Sequence, residues 1–480
     1  MDQPVHIPIL RGGVEYESLD TRAVARHTDG AVLAEVSQAN PGIVRRDLRR
    51  AGERARALRA VPIARLLDIC RAAGEQFLRG TLPLQREGLT QSPDQYVAAL
   101  SQTSGLPHAL CRMNMEKVFT VLTEMPQILG GLMRGMDLAL LDSGFTTHSG
   151  IDVCYGPTTD ALGVVLPSNS PAVNSIWLPA IALKVPVVLK PGRDEPWTPQ
   201  RLVQAFLAAG CPPEAFSIYP TDHEGAGAIL EGCGRSLLFG DQSTTKAWAH
   251  DPRIQLHGPG WSKVLFGPDA IERWPEFLDL LVDSVLRNGG RSCINASTIL
   301  VPSHGDAVAE ALAERLAAVE PRPADSPDAQ LSAFANPAFA DAIDAAVESG
   351  LREPGAEDWT ARHRDGPRSC TLDGGRYLRP TVVRCRALDH PLARTEFLFP
   401  FVSVVEVPAE QLVASLGRTL VVSAITRDAA LIDALLQCPE VDRINLGPVP
   451  TTRVEWDQPH EGNLFEFLYQ RRAIQRAESW

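Results

Sequence analysis

The chain has 480 residues, 44% of them hydrophobic and 22% charged, which are the proportions of an ordinary globular protein with two or three domains. Its net charge of −12 repels phosphate backbones, so we expect no nucleic-acid partner. The 9 cysteines form no C-x-x-C pair and the 11 histidines form no ligand pattern, so we predict neither a disulfide framework nor a metal site.

The N-terminal residues lack the basic segment followed by an apolar one that a secretory signal requires. The longest apolar stretch, residues 173–189, is interrupted by Pro179, Lys184 and Pro186 and cannot span a bilayer as one clean helix. We therefore expect a cytoplasmic protein with no membrane partner.

Residues 41–140 are rich in Ala, Leu and Arg and predict a mainly helical region. Within it, a run of arginines between residues 45 and 59 accompanies Val44, Leu48, Ala51 and Ala55, which are spaced three or four apart. The favoured interpretation is the solvated face of an amphipathic helix, and the alternative is an anion-binding patch.

After residue 160, short apolar runs alternate with helical stretches. The predicted strands are 162–166, 186–189, 216–219, 236–239 and 253–256. The predicted helices between them are 171–183, 198–209, 223–230 and 243–250. This rhythm predicts a parallel sheet covered on both faces, in which ligands bind at the carboxyl ends of the strands.

A second α/β unit begins near Ser262. Its predicted strands are 263–266, 298–301, 402–407 and 420–426, and its predicted helices are 271–286 and 306–318. Residues 320–327 are rich in Pro and Asp and predict a loop. The polar and aromatic tail after Trp456 predicts no domain of its own.

Cys293 follows Gly289 and Gly290, between a predicted helix and a predicted strand. A cysteine after such a turn is lifted out of regular structure, and the adjacent Arg291 would favour its reactive thiolate. A cysteine near glycines is, however, more often an inert residue.

Two loops at the predicted sheet edge carry further candidates. Asn169 follows the first strand, where its amide could hold a developing oxyanion or could simply cap the next helix. Lys190 ends the second strand, where a ribose or phosphate would lie, although taken alone an ordinary surface lysine at a strand end is the favoured interpretation.

Together these segments resemble the aldehyde dehydrogenase superfamily. Its P-x-N, K-P and G-x-x-C motifs correspond to residues 167–169, 190–191 and 290–293, and residues 377–382 and 396–400 resemble its Y-x-x-P-T-V and E-x-F-G-P segments. The resemblance covers roughly residues 160–450. It implies an α/β fold with two doubly wound domains, one for the cofactor and one for catalysis, and a small oligomerisation element.

The resemblance also implies roles for individual residues. Cys293 would attack an aldehyde carbonyl, and Asn169 with the backbone N–H of Cys293 would hold the oxyanion while hydride passes to NAD or NADP. The implied cofactor-binding residues are Lys190, Arg193, Ser168, Pro167, Gly240, Ser243, Glu396 and Phe399. Arg193 could pair with a 2′-phosphate, which tilts the prediction toward NADP, although Asp194 and Glu195 follow it directly.

The sequence departs from the hydrolytic members of the family where they carry a Glu general base. His257 stands in the corresponding place, either as a base for water or as a structural residue. The segments 239–244, 256–263 and 456–457 resemble the acyl-coenzyme A reductase branch instead. We therefore predict an aldehyde dehydrogenase, with a coenzyme A-dependent acyl thioester reductase and a non-catalytic binding subunit as the alternatives.

The family pattern predicts three parts of the chain. They are a helical segment with a Rossmann-like domain over 1–258, a catalytic domain over 259–450, and a tail over 451–480 that returns to the cofactor domain or an oligomer interface. An oligomerisation element is expected near 125–155, in a homodimer or homotetramer.

Overall fold

The structure is a computed structural model that describes residues 4–84 and 88–475. Five short strands precede the helical region. Three of them form a small sheet, in the order Val5–Ile7, Val32–Ser37, Thr21–Ala25. The other two, Ile9–Arg11 and Val14–Tyr16, form a hairpin that joins a larger sheet. The sequence analysis predicted none of these strands.

The predicted helical region is confirmed. Its helices are Pro41–Leu48, Ala51–Arg59, Ile63–Arg79, Pro93–Ser104, His108–Thr123, Met125–Leu132 and Leu140–Ser143. The run of arginines lies on two helices separated at Arg49 and Arg50, not on one. Several of these arginines contact carboxylates, as in the pairs Arg45–Glu231 and Arg59–Asp160, which supports the solvated-face interpretation.

The first large sheet has seven strands. Their order is Ile254–His257, Arg235–Phe239, Leu162–Val165, Val187–Lys190, Phe216–Ile218, Ile9–Arg11, Val14–Tyr16. The first five are parallel, as predicted, whereas the N-terminal hairpin adds two antiparallel strands at one edge. The next strand in the chain, Val187–Lys190, pairs with one side of Leu162–Val165, and the later strand Arg235–Phe239 pairs with its other side. This reversal of strand order opens a crevice at the carboxyl end of Leu162–Val165.

Helices cover this sheet less regularly than predicted. They are Pro179–Ala182, Trp197–Ala208, His223–Gly232 and Gln242–Lys246. The predicted helix 171–183 is a 3₁₀ helix, Pro171–Ile176, followed by a single α-turn from Pro179. A proline inside a helix removes one backbone donor and clashes with the preceding turn, which explains the interruption.

The second large sheet also has seven strands. Their order is Ala356–Asp358, Thr381–Cys385, Phe401–Glu406, Ala296–Val301, Ser262–Phe266, Thr419–Ile425, Val441–Leu446. All neighbours are parallel except the first pair. The helices of this unit are Leu278–Leu286, Gly305–Ala317, Pro337–Leu351 and Ala429–Leu436. The predicted helix 271–286 is α-helical only from Leu278, because Pro275 lies inside a preceding 3₁₀ segment.

A third, three-stranded sheet joins two distant parts of the chain. Its order is Tyr469–Arg472, Ile151–Pro157, Phe145–His148, and the helix Leu464–Leu468 leads into it. The tail therefore pairs with the predicted oligomerisation element. Across the described residues, no helix is both long enough and apolar enough to cross a membrane. The predicted boundary at residue 258 falls between the two large sheets, and the division into folding domains stays a prediction.

Candidate functional site

Cys293 lies in a tight turn between the helix Leu278–Leu286 and the strand Ala296–Val301. Residues 288–290 all have positive φ angles, of 56°, 64° and 68°. A Cβ on Gly290 would also lie 2.4 Å from the backbone of Phe399, so both conformation and space require glycine there. The turn thus fixes the position of Cys293 between the helix and the strand.

A buried polar network ties this turn to the first sheet. Asn114 donates to Asn288 at 2.8 Å, and Asn288 donates to Ser170 at 3.3 Å and to Ser292 at 3.0 Å. These contacts join a helix, the turn before Cys293 and the loop that carries Asn169. The sequence analysis did not identify Asn114 or Asn288, because no motif marks a contact between such distant segments.

Asn169 lies at the crevice of the first sheet, as predicted, and faces the Cys293 segment. Its Nδ2 donates to the carbonyl oxygen of Arg291 at 3.1 Å. Its Oδ1 is buried and has no hydrogen-bond partner among the described residues. The side-chain amide is therefore held two residues from the cysteine, and it does not cap the next helix.

A cavity of about 1130 Å³ lies between the two large sheets and brings most of the predicted site together. Its lining includes Pro167, Ser168, Asn169, Gly240, His257, Cys293 and Glu396. A second cavity, of about 710 Å³, lies at the carboxyl edge of the first sheet and is lined by Lys190, Arg193 and Ser243. Phe239 lines both cavities, so they adjoin.

Phe399 is the exception among the predicted site residues. It is buried in the core and packs against Phe397 and Phe401, with ring centroids 6.2 and 5.8 Å away. It lines neither cavity, whereas Phe397 and Leu398 line the larger one. Phe399 lies in the bend before the strand Phe401–Glu406 with its ring packed into the core, so the structure gives no support to the expected cofactor contact.

The charge around Cys293 also differs from the expectation. Burial raises the pKa of the Cys293 thiol well above its ordinary value, and the negative charges of Glu461 and Glu396 raise it further. Arg291 does not offset this effect. Its guanidinium is buried, donates to the carbonyl oxygens of Ser104 and Ala333, and lies over the ring of Phe334. Arg291 is a structural anchor, so the predicted thiolate stabilisation by this residue is wrong.

His257 ends an outer strand of the first sheet and is buried on the cavity wall. Its Nδ1 pairs with the carboxylate of Glu461, and its ring stacks on Phe239 at a centroid distance of 4.3 Å. Burial disfavours ionisation of Glu461, but the charge and hydrogen bond of His257 outweigh it and lower the pKa of Glu461. The sequence analysis missed Glu461, which no motif in the tail identifies.

Glu396 reaches the same cavity from the second sheet. Its Oε2 accepts hydrogen bonds from the backbone N–H groups of Gly260 and Trp261, at 2.9 and 2.7 Å. Burial raises the pKa of Glu396 to about 8 despite these two donors. No described residue hydrogen-bonds Oε1, which leaves that oxygen available to a ligand.

Positive side chains gather at the smaller cavity. Lys190 is joined there by Arg193 and by Arg22, which comes from the N-terminal sheet. Burial lowers the pKa of Lys190 to about 8, and the charges of the two arginines lower it further. The remaining wall is largely apolar, including Leu230 and Leu238. Such a cavity suits a flat ring beside an anionic group.

The other titratable groups supply no competing centre. All nine cysteines are free, and burial raises the pKa of Cys70 and Cys233 to about 12. Within the described ranges, no three His, Cys, Asp or Glu side chains converge as ligands for a metal. The larger cavity is thus where the Cys293 thiol, the Asn169 amide, the His257 imidazole and the carboxylates of Glu396 and Glu461 meet.

The sequence matches the profile of the Aldehyde dehydrogenase family over residues 14–416. The chain therefore belongs to the aldehyde dehydrogenase family, as the motifs predicted. Malonate-semialdehyde dehydrogenase 1 of Geobacillus thermodenitrificans (strain NG80-2) is 25% identical over 286 residues, which are 58% of this chain and 57% of that protein. Hydroxyisobutyraldehyde dehydrogenase of Mycolicibacterium austroafricanum is 26% identical over 260 residues, 51% of this chain and 50% of that protein. The chain thus spans little more than half the length of these curated relatives.

Solved structures show the same fold over almost the whole chain. The aldehyde dehydrogenase KauB from Pseudomonas aeruginosa gives a TM-score of 0.78 at 17% identity, covering 98% of this chain and 97% of that one. Indole-3-acetaldehyde dehydrogenase in complex with NAD+ gives 0.77 at 16% identity, covering 98% and 96%. The predicted fold class is confirmed.

Proposed function

We propose that this protein is an NAD(P)-dependent aldehyde dehydrogenase that oxidises its substrate through a thioester on Cys293. The observation that carries the proposal is the position of Asn169, whose amide is bonded to residue 291 on the wall that also presents Cys293. A nucleophilic sulfur opposite an amide donor is the arrangement that addition to a carbonyl requires.

The chemistry of the chain's own residues follows from this arrangement. The Cys293 sulfur, once deprotonated, forms a bond to the carbonyl carbon, and the carbonyl oxygen becomes an oxyanion. The Asn169 amide and the backbone N–H of Cys293 stabilise that oxygen by hydrogen bonding. Loss of hydride from the same carbon leaves a thioester on Cys293, which a nucleophile then cleaves.

The two adjoining cavities support a nicotinamide dinucleotide as cofactor, which would accept the hydride. Lys190 and Arg193 would hold the ribose and phosphate end in the smaller cavity. Ser168, Gly240 and the free Oε1 of Glu396 would contact the other end in the larger cavity. The crevice at the switch in strand order is the site at which such sheets bind dinucleotides.

The charge of the smaller cavity favours NADP over NAD. Arg193 is exposed there, and Arg22 lies beside it. Glu195 does not oppose them, because its buried carboxylate accepts hydrogen bonds from the backbone and hydroxyl of Thr198, at 2.8 and 2.7 Å. Asp194 lies 3.9 Å from Arg22 as its counter-charge. A 2′-phosphate would contact two guanidinium groups at this edge.

The larger cavity favours an aldehyde that carries a carboxylate. Lys117 lines it, and burial lowers the pKa of this lysine to about 8. Arg287 nearby is paired with Asp283 at 3.0 Å, but Lys117 has no ion-pair partner among the described residues. An anionic substrate group would supply that partner. Relatives named for malonate semialdehyde act on an aldehyde of this kind.

We further propose a homodimer or homotetramer assembled through the three-stranded sheet. Ile151 on its central strand is 60% exposed, and a contact between subunits at this sheet would remove its apolar side chain from water. Light scattering of the purified protein tests this assembly. Ile151→Lys should lower the measured mass if the sheet is the contact.

One assay tests the proposed activity. Purified protein is mixed with a carboxylated aldehyde and NAD+ or NADP+, with and without coenzyme A, and cofactor reduction is followed. Turnover without coenzyme A, lost in Cys293→Ser, is the expected result. Turnover that requires coenzyme A would instead favour the acylating branch. Cofactor binding without turnover on any aldehyde or acyl thioester would leave a non-catalytic binding subunit.

A further inference from the structure

The pair formed by His257 and Glu461 has the geometry of an oriented base. The carboxylate of Glu461 pairs with Nδ1, which directs the other ring nitrogen, Nε2, away from it. Nε2 is buried and has no hydrogen-bond partner among the described residues. Because the pair shares the cavity with Cys293, this nitrogen is available to a molecule bound beside the sulfur.

Among the described residues, the side chains of His257 and Glu461 hydrogen-bond only to each other, although other charged groups lie near enough to act on them. Glu461 also feels the charges of His460, Arg418 and Glu396, and Asp442 feels those of both Glu461 and His257. His460 differs from His257: it lies near Arg443, and burial lowers its pKa to about 4, so it stays neutral. Of the two histidines on this wall, only His257 has a carboxylate that fixes its orientation.

His257 lines the same cavity as Cys293 but is not bonded to its thiol. No hydrogen bond joins its ring to Cys293 in the described part of the chain, although both residues line the same cavity. The ring therefore does not hold the thiol in this structure, and its free nitrogen is left for an incoming molecule.

We propose that Glu461 and His257 form a dyad in which His257 is the base that drives release of the acyl group and Glu461 is the positioning residue. This inference rests on the proposed function, since it needs the thioester on Cys293. Nε2 takes a proton from the attacking water, whose oxygen bonds to the thioester carbon. The carbon–sulfur bond then breaks, and the electron pair leaves on the Cys293 sulfur. The imidazolium gives its proton back to the sulfur or to solvent.

The test separates formation of the thioester from its release. Rapid mixing of each protein with aldehyde and cofactor counts the first turnover as a burst of reduced cofactor. The acceptor is water, or coenzyme A if wild-type turnover requires it. His257→Gln should keep a burst of about one per site while its steady rate falls by about 100-fold or more. Glu461→Gln should keep the burst while its steady rate falls by about tenfold or more.

Two additions make the result specific for a base. Hydroxylamine, which attacks a thioester without needing a general base, should restore the steady rate of both variants. Glu461→Asp, which keeps the carboxylate, should recover part of the rate. The control is Glu466→Gln, which removes an exposed carboxylate from the same tail segment as Glu461. Glu466 pairs with Arg134, so the steady rate of this variant should match that of the wild type. Rates are expressed per burst site, so a partly misfolded variant does not distort the comparison.

Each contrary outcome identifies what fails. A normal steady rate in Glu461→Gln or His257→Gln overturns the dyad and leaves the proposed function intact. Loss of the burst in folded His257→Gln that still binds cofactor also overturns it, because the base would then act on Cys293. A wild-type protein that gives no burst and no turnover overturns the proposed function, and this inference falls with it.

Discussion

Asn169 and Arg291, which are 122 residues apart in sequence, are joined by a 3.1 Å hydrogen bond from the side-chain amide of the first to the backbone carbonyl of the second. Asn169 follows a strand of the first sheet, and Arg291 precedes a strand of the second. The bond therefore fixes the predicted oxyanion donor relative to the nucleophile segment.

Replacing Asn169 with Ala should lower kcat by about 10²–10³-fold, because one preorganised donor to the oxyanion is lost. The KM for the cofactor should change little, since the amide is not needed for its binding. Steady-state kinetics with varied aldehyde and cofactor measure both effects. A kcat within threefold of the wild type would show that Asn169 holds the turn without touching the reacting oxygen.

Cys293 should react slowly with iodoacetamide in the ligand-free protein at neutral pH. Burial raises the pKa of its thiol, so the thiolate fraction stays small until the pH passes the ordinary cysteine value of about 8.5. The rate of inactivation should keep rising above that pH. Inactivation that reaches its plateau below pH 8 would contradict the raised pKa.

Arg193→Glu should shift the cofactor preference away from NADP+. The variant loses a charge-assisted contact to a 2′-phosphate, so kcat/KM for NADP+ should fall roughly tenfold or more while the value for NAD+ falls less. Arg45→Glu, which changes an exposed arginine outside both cavities, serves as the control. Equal losses with both cofactors would remove the preference for NADP.

Lys117→Met should raise the KM for a carboxylated aldehyde by roughly tenfold, because the anionic group loses its charged partner. A neutral aldehyde of equal length should be used as well as before, or better. Arg112→Met tests a cation on the exposed side of the same helix, where it pairs with Asp94 at 2.8 Å. If the KM rises equally for both aldehydes, Lys117 does not recognise the carboxylate.

The free energy of unfolding of Glu195→Gln, relative to that of the wild type, should increase as the pH rises. Burial raises the pKa of Glu195 to about 8, whereas in the unfolded chain it is about 4.3. Between these values the folded state holds a proton that the unfolded state has lost, so wild-type stability falls with pH by at most about 1.4 kcal/mol per unit. Urea unfolding of both proteins at several pH values measures the difference in their free energies of unfolding. A difference that does not change with pH would contradict this expectation.

The alternation of strands and helices after residue 160 was predictable because buried parallel strands are short apolar runs with clear interruptions. Their carboxyl ends correctly indicated Asn169 and Lys190 as residues at the sheet edge. The strands before residue 40 were missed because each has only three to six residues. Such short segments show too little periodicity to be distinguished from loops.

The site itself was predictable only where a local motif exists. The partner of His257 was not predictable, because Glu461 lies 204 residues further along the chain and only the folded tail brings it beside His257. Arg291 illustrates the opposite error: adjacency in sequence to Cys293 suggested an electrostatic effect, but the chain turns its guanidinium into the core. Side-chain direction in an irregular turn is set by tertiary packing, which spacing does not encode.

The two large sheets form opposite walls of the larger cavity, and this arrangement has a consequence for heat inactivation. A slight rotation of one sheet against the other would separate amide from sulfur while leaving every strand pairing intact. We therefore expect the proposed activity to be lost before the strand pairing is. On gentle warming, turnover should fade while circular dichroism still reports full secondary structure.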